Sequence, residues 1–105
     1  MAFAFFQEFN IRDDDRSTTN YDTVAERLDV ASNPPAGLIV HTAGWDEDNG
    51  TFRIFDVWAS RGDFERFFQD RLQPVLDELM PQFENTNSAP PDREGRYELH
   101  NVFNG

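Results

Sequence analysis

The alternation of hydrophobic and polar positions along this chain predicts six elements. Ala2-Phe3-Ala4-Phe5-Phe6-Gln7-Glu8-Phe9 sets Phe3, Phe5, Gln7 and Phe9 on one side of an extended chain and Ala2, Ala4, Phe6 and Glu8 on the other, a strand with both faces covered. Arg12 to Asn20 is a polar loop. Thr19 or Asn20 is placed to cap a helix in which Tyr21, Val24, Ala25 and Leu28 form one apolar stripe, ending by about Val30. Ser32-Asn33-Pro34-Pro35-Ala36-Gly37 then makes a stiff connection, because neither proline can donate a backbone hydrogen bond.

The stretch from Gly37 to Leu79 carries the strongest signals. Two apolar runs flank Asp46-Glu47-Asp48-Asn49-Gly50, and Asn-Gly between alternating hydrophobics predicts a β-hairpin. In the first of these strands Leu38, Val40 and Thr42 share one face, and Ile39, His41 and Ala43 the other. In the second, Phe52, Ile54, Asp56 and Trp58 lie together, opposite Arg53, Phe55, Val57 and Ala59. Ser60-Arg61-Gly62-Asp63 is a capping box, so a helix should begin at about Arg61. Phe64, Phe67, Phe68, Leu72, Val75, Leu76 and Leu79 form its apolar face; Pro74 should kink or split it at Gln73, and Pro81 should end it.

Residues 81–95 read as a flexible loop anchored only by Phe83, and Arg96 to Phe103 as a last strand with Tyr97, Leu99, Asn101 and Phe103 on one face and Glu98, His100 and Val102 on the other. Strand, helix, strand, strand, helix, strand is the α+β, ferredoxin-like βαββαβ order: an antiparallel four-stranded sheet with two helices on one face. The expectation is a single domain over residues 1–105 whose bare sheet face pairs with that of a second copy, a homodimer.

Composition sharpens this picture. Eleven Phe, two Trp and two Tyr in 105 residues are more aromatic surface than two helices on one sheet face can hide, which implies a second chain or a ring-lined cavity. Nine Lys plus Arg, all of them Arg, against twenty acidic residues give a formal net charge of −11 and no basic patch for nucleic acid or an anionic membrane. The Asp-rich, Lys-free surface fits either a high-salt cytoplasm or a genome that favours Arg over Lys. Cysteine is absent, so disulfides and thiolate chemistry are unavailable and a cytoplasmic setting is the default. Met1 to Phe6 lacks the basic start of a signal peptide, and no apolar run is long enough to span a membrane.

The runs GLIVHTAGW, FRIFDVWASRGDFERFFQDRLQPVLDEL and YELHNVF, about four-fifths of the chain, resemble the dimeric α/β-barrel superfamily in its antibiotic-biosynthesis-monooxygenase-like branch. The resemblance rests most on Val57-Trp58-Ala59-Ser60 followed by an aromatic-rich helix. It implies two sheets closed into a barrel and a small cavity between helices and sheet in each subunit. Members include cofactor-free oxygenases of aromatic polyketides, haem-degrading oxygenases, cyclases and isomerases. The Asn, Trp and His that serve haem degradation fall near Gln7, Phe67 and Asp77 in this chain, and none matches.

Candidate chemistry centres on His41, mid-strand among apolar neighbours, where an imidazole suits proton transfer to a bound phenol and equally suits a buried histidine bonded to backbone or to a nearby carboxylate. His100, beside Asn101, is a second catalytic candidate. Trp58 matches a tryptophan that lines the substrate cavity in some relatives, and Tyr21, Trp45 and Asn101 are further candidates for substrate contact; core packing, an amphipathic helix and a turn shoulder account for Trp58, Tyr21 and Trp45 as readily. Two histidines with Asp56 or Glu98 do not have metal-ligand spacing, and Asp13-Asp14-Asp15 lacks the alternation of a calcium loop, so neither a metal nor another cofactor is expected. The expected function is binding of a small hydrophobic or aromatic molecule, with cofactor-independent monooxygenase-like or acid/base chemistry; the alternative is a non-catalytic dimeric barrel with a closed cavity.

Overall fold

The computed structural model describes residues 1–82 and 90–103. Strand β1 (Phe3–Asn10) is followed by helix α1 (Thr19–Leu28), β2 (Leu38–Asp46), β3 (Thr51–Trp58), a second long helical segment and β4 (Arg93–Glu98). The four strands form one antiparallel sheet in the order β2-β3-β1-β4, with the helical segments on one face. This is the ferredoxin-like α+β arrangement expected.

The β2–β3 hairpin forms where Asn-Gly predicted it, with a four-residue connection between the paired residues Asp46 and Thr51. Only Gly50 takes a positive φ, +64°, a conformation glycine adopts without Cβ strain. Asn49 does its work through its side chain, whose Nδ2 donates to Asp46 Oδ2 at 2.8 Å. The Gly50 carbonyl accepts from Ile11 N–H at 2.9 Å, which ties the turn to the end of β1.

The long helix begins at Arg61. Ser60 caps it, its Oγ accepting from Asp63 N–H at 3.1 Å and donating to Asp63 Oδ2 at 3.0 Å. It runs as α2 (Arg61–Phe67), a π-helical turn (Phe68–Leu72) and α3 (Gln73–Leu79). Pro74 sits in the first turn of α3, where its missing N–H leaves no bond broken, and the wide turn before it lets Gln73 N–H reach back to the Phe68 carbonyl. The expected disruption at Gln73 is thus a π turn rather than a break.

Phe3, Phe5, Trp58, Phe64 and Phe67 make the buried core, with Leu28, Leu38, Phe68 and Leu72 packed against it. Two expectations change. A bulge between Leu38 and Val40 turns β2, so that Leu38 joins His41, not Val40, on the helix side. The last strand runs Arg93–Glu98 rather than Arg96 to Phe103. It pairs only with β1, and that pairing ends with Glu98 opposite Phe3 and Leu99 N–H reaching the Ala2 carbonyl. Phe83 and the middle of the predicted 81–95 loop lie outside the described residues, and 93–95 belong to β4. The sheet face away from the helices carries Val40 at 41% and Tyr97 at 44% exposure.

Candidate functional site

Between the sheet and the helices lies a cavity of about 460 Å³, within the range of small-molecule sites. The sequence periodicities build it directly. Phe5, Gln7 and Phe9 of β1 and Phe52, Ile54, Asp56 and Trp58 of β3 form its floor, and the Tyr21, Val24, Ala25 and Leu28 stripe of α1 forms one wall. Phe67, Phe68, Leu72 and Leu76 from the long helix close the other side.

One polar chain runs into this apolar space. Asp56 and His41 are directly opposed on neighbouring strands, and His41 Nδ1 lies 2.5 Å from Asp56 Oδ1. On the other side of the imidazole, Nε2 lies 2.6 Å from the Tyr21 hydroxyl, and the two rings are nearly parallel at 4°. The Asp56 carboxylate is an acceptor only, so it selects the tautomer with Nδ1–H, which leaves the Nε2 lone pair to accept from the Tyr21 O–H. Burial, then the Asp56 and Asp22 charges, hold the Tyr21 phenol above its ordinary pKa, so it remains protonated at neutral pH. Its oxygen keeps lone pairs for a molecule in the cavity. Phe52 meets Tyr21 edge-on at 5.5 Å and Trp45 at 4.7 Å, a ring cluster that fixes the Tyr21 position.

Of the sequence-predicted residues, His41, Tyr21, Trp45 and Trp58 come together around this cavity. His100 and Asn101 do not: they follow the end of β4, exposed, and are absent from the cavity lining. Arg96 lines the cavity without any signal in the sequence, and Asp56, which the sequence offers only as a metal ligand, lines it too; the hairpin register, counted from its turn, is the signal that places Asp56 beside His41. At the haem-degradation positions, Gln7 and Phe67 line the cavity, while Asp77 accepts from Gln73 Nε2 at 2.7 Å elsewhere on α3. Among the described residues no group of three or more His, Cys, Asp or Glu side chains is arranged to hold a metal. The acidic loop is instead tied to the hairpin by Arg16, which donates to both Glu47 oxygens at 2.9 Å and to Asp14.

The chain superposes on SnoaB from Streptomyces nogalater, a cofactor-independent oxygenase, with a TM-score of 0.63 over 96% of this chain and 95% of that one, at 14% identity. A candidate antibiotic biosynthesis monooxygenase from Deinococcus radiodurans matches with a TM-score of 0.61 over 99% and 97%, at 16% identity. The fold is that of the antibiotic-biosynthesis-monooxygenase-like proteins. NE2512 from Nitrosomonas europaea, a protein of unknown function, shares this fold with a TM-score of 0.67 over 99% and 94%, at 19% identity. No family model and no curated protein matches the sequence.

Proposed function

We propose that this monooxygenase-like fold binds a small aromatic molecule between sheet and helices and carries out acid/base chemistry on it without a cofactor, through Tyr21, His41 and Asp56. The observation that carries the reading is the continuous Tyr21–His41–Asp56 chain opening on an aromatic-lined cavity. A phenolic ligand would give its proton to the Tyr21 oxygen as Tyr21 passes its own to His41 Nε2. The product is a ligand phenolate and an imidazolium paired with Asp56, the division of labour of a hydroxyl–histidine–aspartate triad. A phenolate is electron-rich, and its attack by molecular oxygen is the cofactor-free chemistry that the likeness to SnoaB supports. The rival reading, a non-catalytic dimeric barrel with a closed cavity, is less well supported by the open space of about 460 Å³ in the single chain.

We also propose that two copies pair through the exposed sheet face that carries Val40 and Tyr97, because a sheet with helices on one side only leaves that apolar surface uncovered.

The test is oxygen uptake with naphthalene-1,4-diol, comparing the protein with its His41→Gln variant, alongside calorimetric binding. Acceleration over buffer that falls by about 10²-fold or more in the variant, with binding retained, is expected. Binding without acceleration would remove the catalytic part of the reading, and no binding would remove both.

A further inference from the structure

Nine arginines stand among twenty acidic residues, so an arginine without an acceptor is unexpected. Seven of the nine are ion-paired, and Arg71 donates to the Leu28 carbonyl at 2.6 Å. Arg96 has neither kind of partner among the described residues. It lines the cavity, and its guanidinium carbon lies 5.6, 5.1 and 5.2 Å from the ring centres of Phe5, Phe64 and Phe68. Those rings orient the cation without offering it an oxygen.

The ladder sets the distance to the other end. His41, Asp56, Phe5 and Arg96 are paired in one row across all four strands. With neighbouring strands about 4.8 Å apart, the row places His41 and Arg96 about 14 Å from each other, a span suited to fused rings lying over Phe5.

We infer that the molecule taken by this cavity is an aromatic anion, its carboxylate or similarly charged oxygen received by Arg96 while its opposite end meets Tyr21. This rests on the aromatic-ligand reading and adds a charge and a direction to it. Glu94, two residues away on the same face, also lines the cavity and keeps its charge while accepting from Gln7 Nε2 at 2.9 Å, so the anion's place is at the guanidinium and not at the Gln7 end. The Arg96 guanidinium is exposed on an edge strand, where a carboxylate of a second copy is a competing occupant.

Calorimetric titration with naphthalene-2-carboxylate and with the uncharged, isosteric naphthalene-2-carboxamide separates the cases, using wild type, Arg96→Gln and Arg96→Lys, with the sedimentation state of each variant recorded. The expected result is a preference of about tenfold for the carboxylate that weakens with added salt, disappears in Arg96→Gln and survives in part in Arg96→Lys, which keeps the charge but not the planar fork. Equal binding of the two probes in all three proteins overturns the inference and leaves the aromatic-ligand reading standing. Binding of neither overturns both. A change of assembly state in Arg96→Gln with the carboxylate preference intact also overturns it, and assigns Arg96 to the partner copy.

Discussion

His41 and Asp56 face each other across the hairpin with 2.5 Å between Nδ1 and Oδ1, a cross-strand pair fixed by the register of two strands rather than by any loop. Because the carboxylate is buried and the imidazole carries Tyr21 on its far nitrogen, this pair decides where protons reside along the chain of three.

Replacing Asp56 with Asn should therefore act on His41. An amide can present its NH₂ to Nδ1, which moves the imidazole proton to Nε2 and leaves Tyr21 without its acceptor. Nitrogen-15 spectra of His41 should show the Nδ1–H form in wild type and the Nε2–H form in the variant. The same form in both would remove Asp56 from the relay.

Tyr21→Phe keeps the ring that packs edge-on against Phe52 and removes only the hydroxyl. The loss of one hydrogen bond should cost about 0.5–1.5 kcal/mol, a fall of several degrees in melting temperature. Proton transfer on a bound phenol should fall much further than stability does. Calorimetry and oxygen uptake on the same sample compare the two.

Tyr21 also sets an alkaline limit. Its phenol is held above the ordinary value in the folded chain, chiefly by burial, so the unfolded chain gives up this proton first as pH rises. The stability it contributes is complete below the unfolded value of about 10 and is lost as pH climbs through the higher folded one. On the acid side Asp92 behaves oppositely: the Asn10 N–H, then the Arg12 guanidinium, lower its pKa, so its contribution is present above the unfolded value and lost as pH falls through the folded one. Thermal melts across pH should fall at both ends, with the alkaline fall reduced in Tyr21→Phe and the acid fall reduced in Asp92→Asn.

Assembly is tested at the uncovered sheet face. Val40 is 41% exposed in the single chain, so Val40→Glu should fold normally and, if copies pair through this face, sediment as a monomer where wild type is a dimer. A monomeric wild type at tens of micromolar would refute the pairing.

Most of the architecture was legible because the residues agree at every level. The Tyr21–Leu28 stripe, the Ser60 cap and the Asn49-Gly50 turn each use a local signal that the tertiary packing then reuses. The site was half legible. His41 was visible as a polar residue in an apolar strand, and its partner follows from counting outward through the hairpin, since the fifth residue before Asp46 meets the fifth after Thr51. The bulge that brings Leu38 onto the side of His41 leaves no mark in an apolar run, because Leu38, Ile39 and Val40 suit either face. The last strand was misplaced because Arg93-Glu94-Gly95 is polar, as an edge strand's residues often are, while the apolar Leu99 and Val102 beyond it have no strand to pair with.

The most direct test of the account is whether an aromatic molecule occupies the space in front of Tyr21. Calorimetric titration with 2-naphthol should give saturable binding at one site per chain, abolished by Ile54→Trp, which fills the cavity floor, while circular dichroism shows the variant still folded. Equal binding by wild type and the filled variant, or none by wild type, would contradict the central claim.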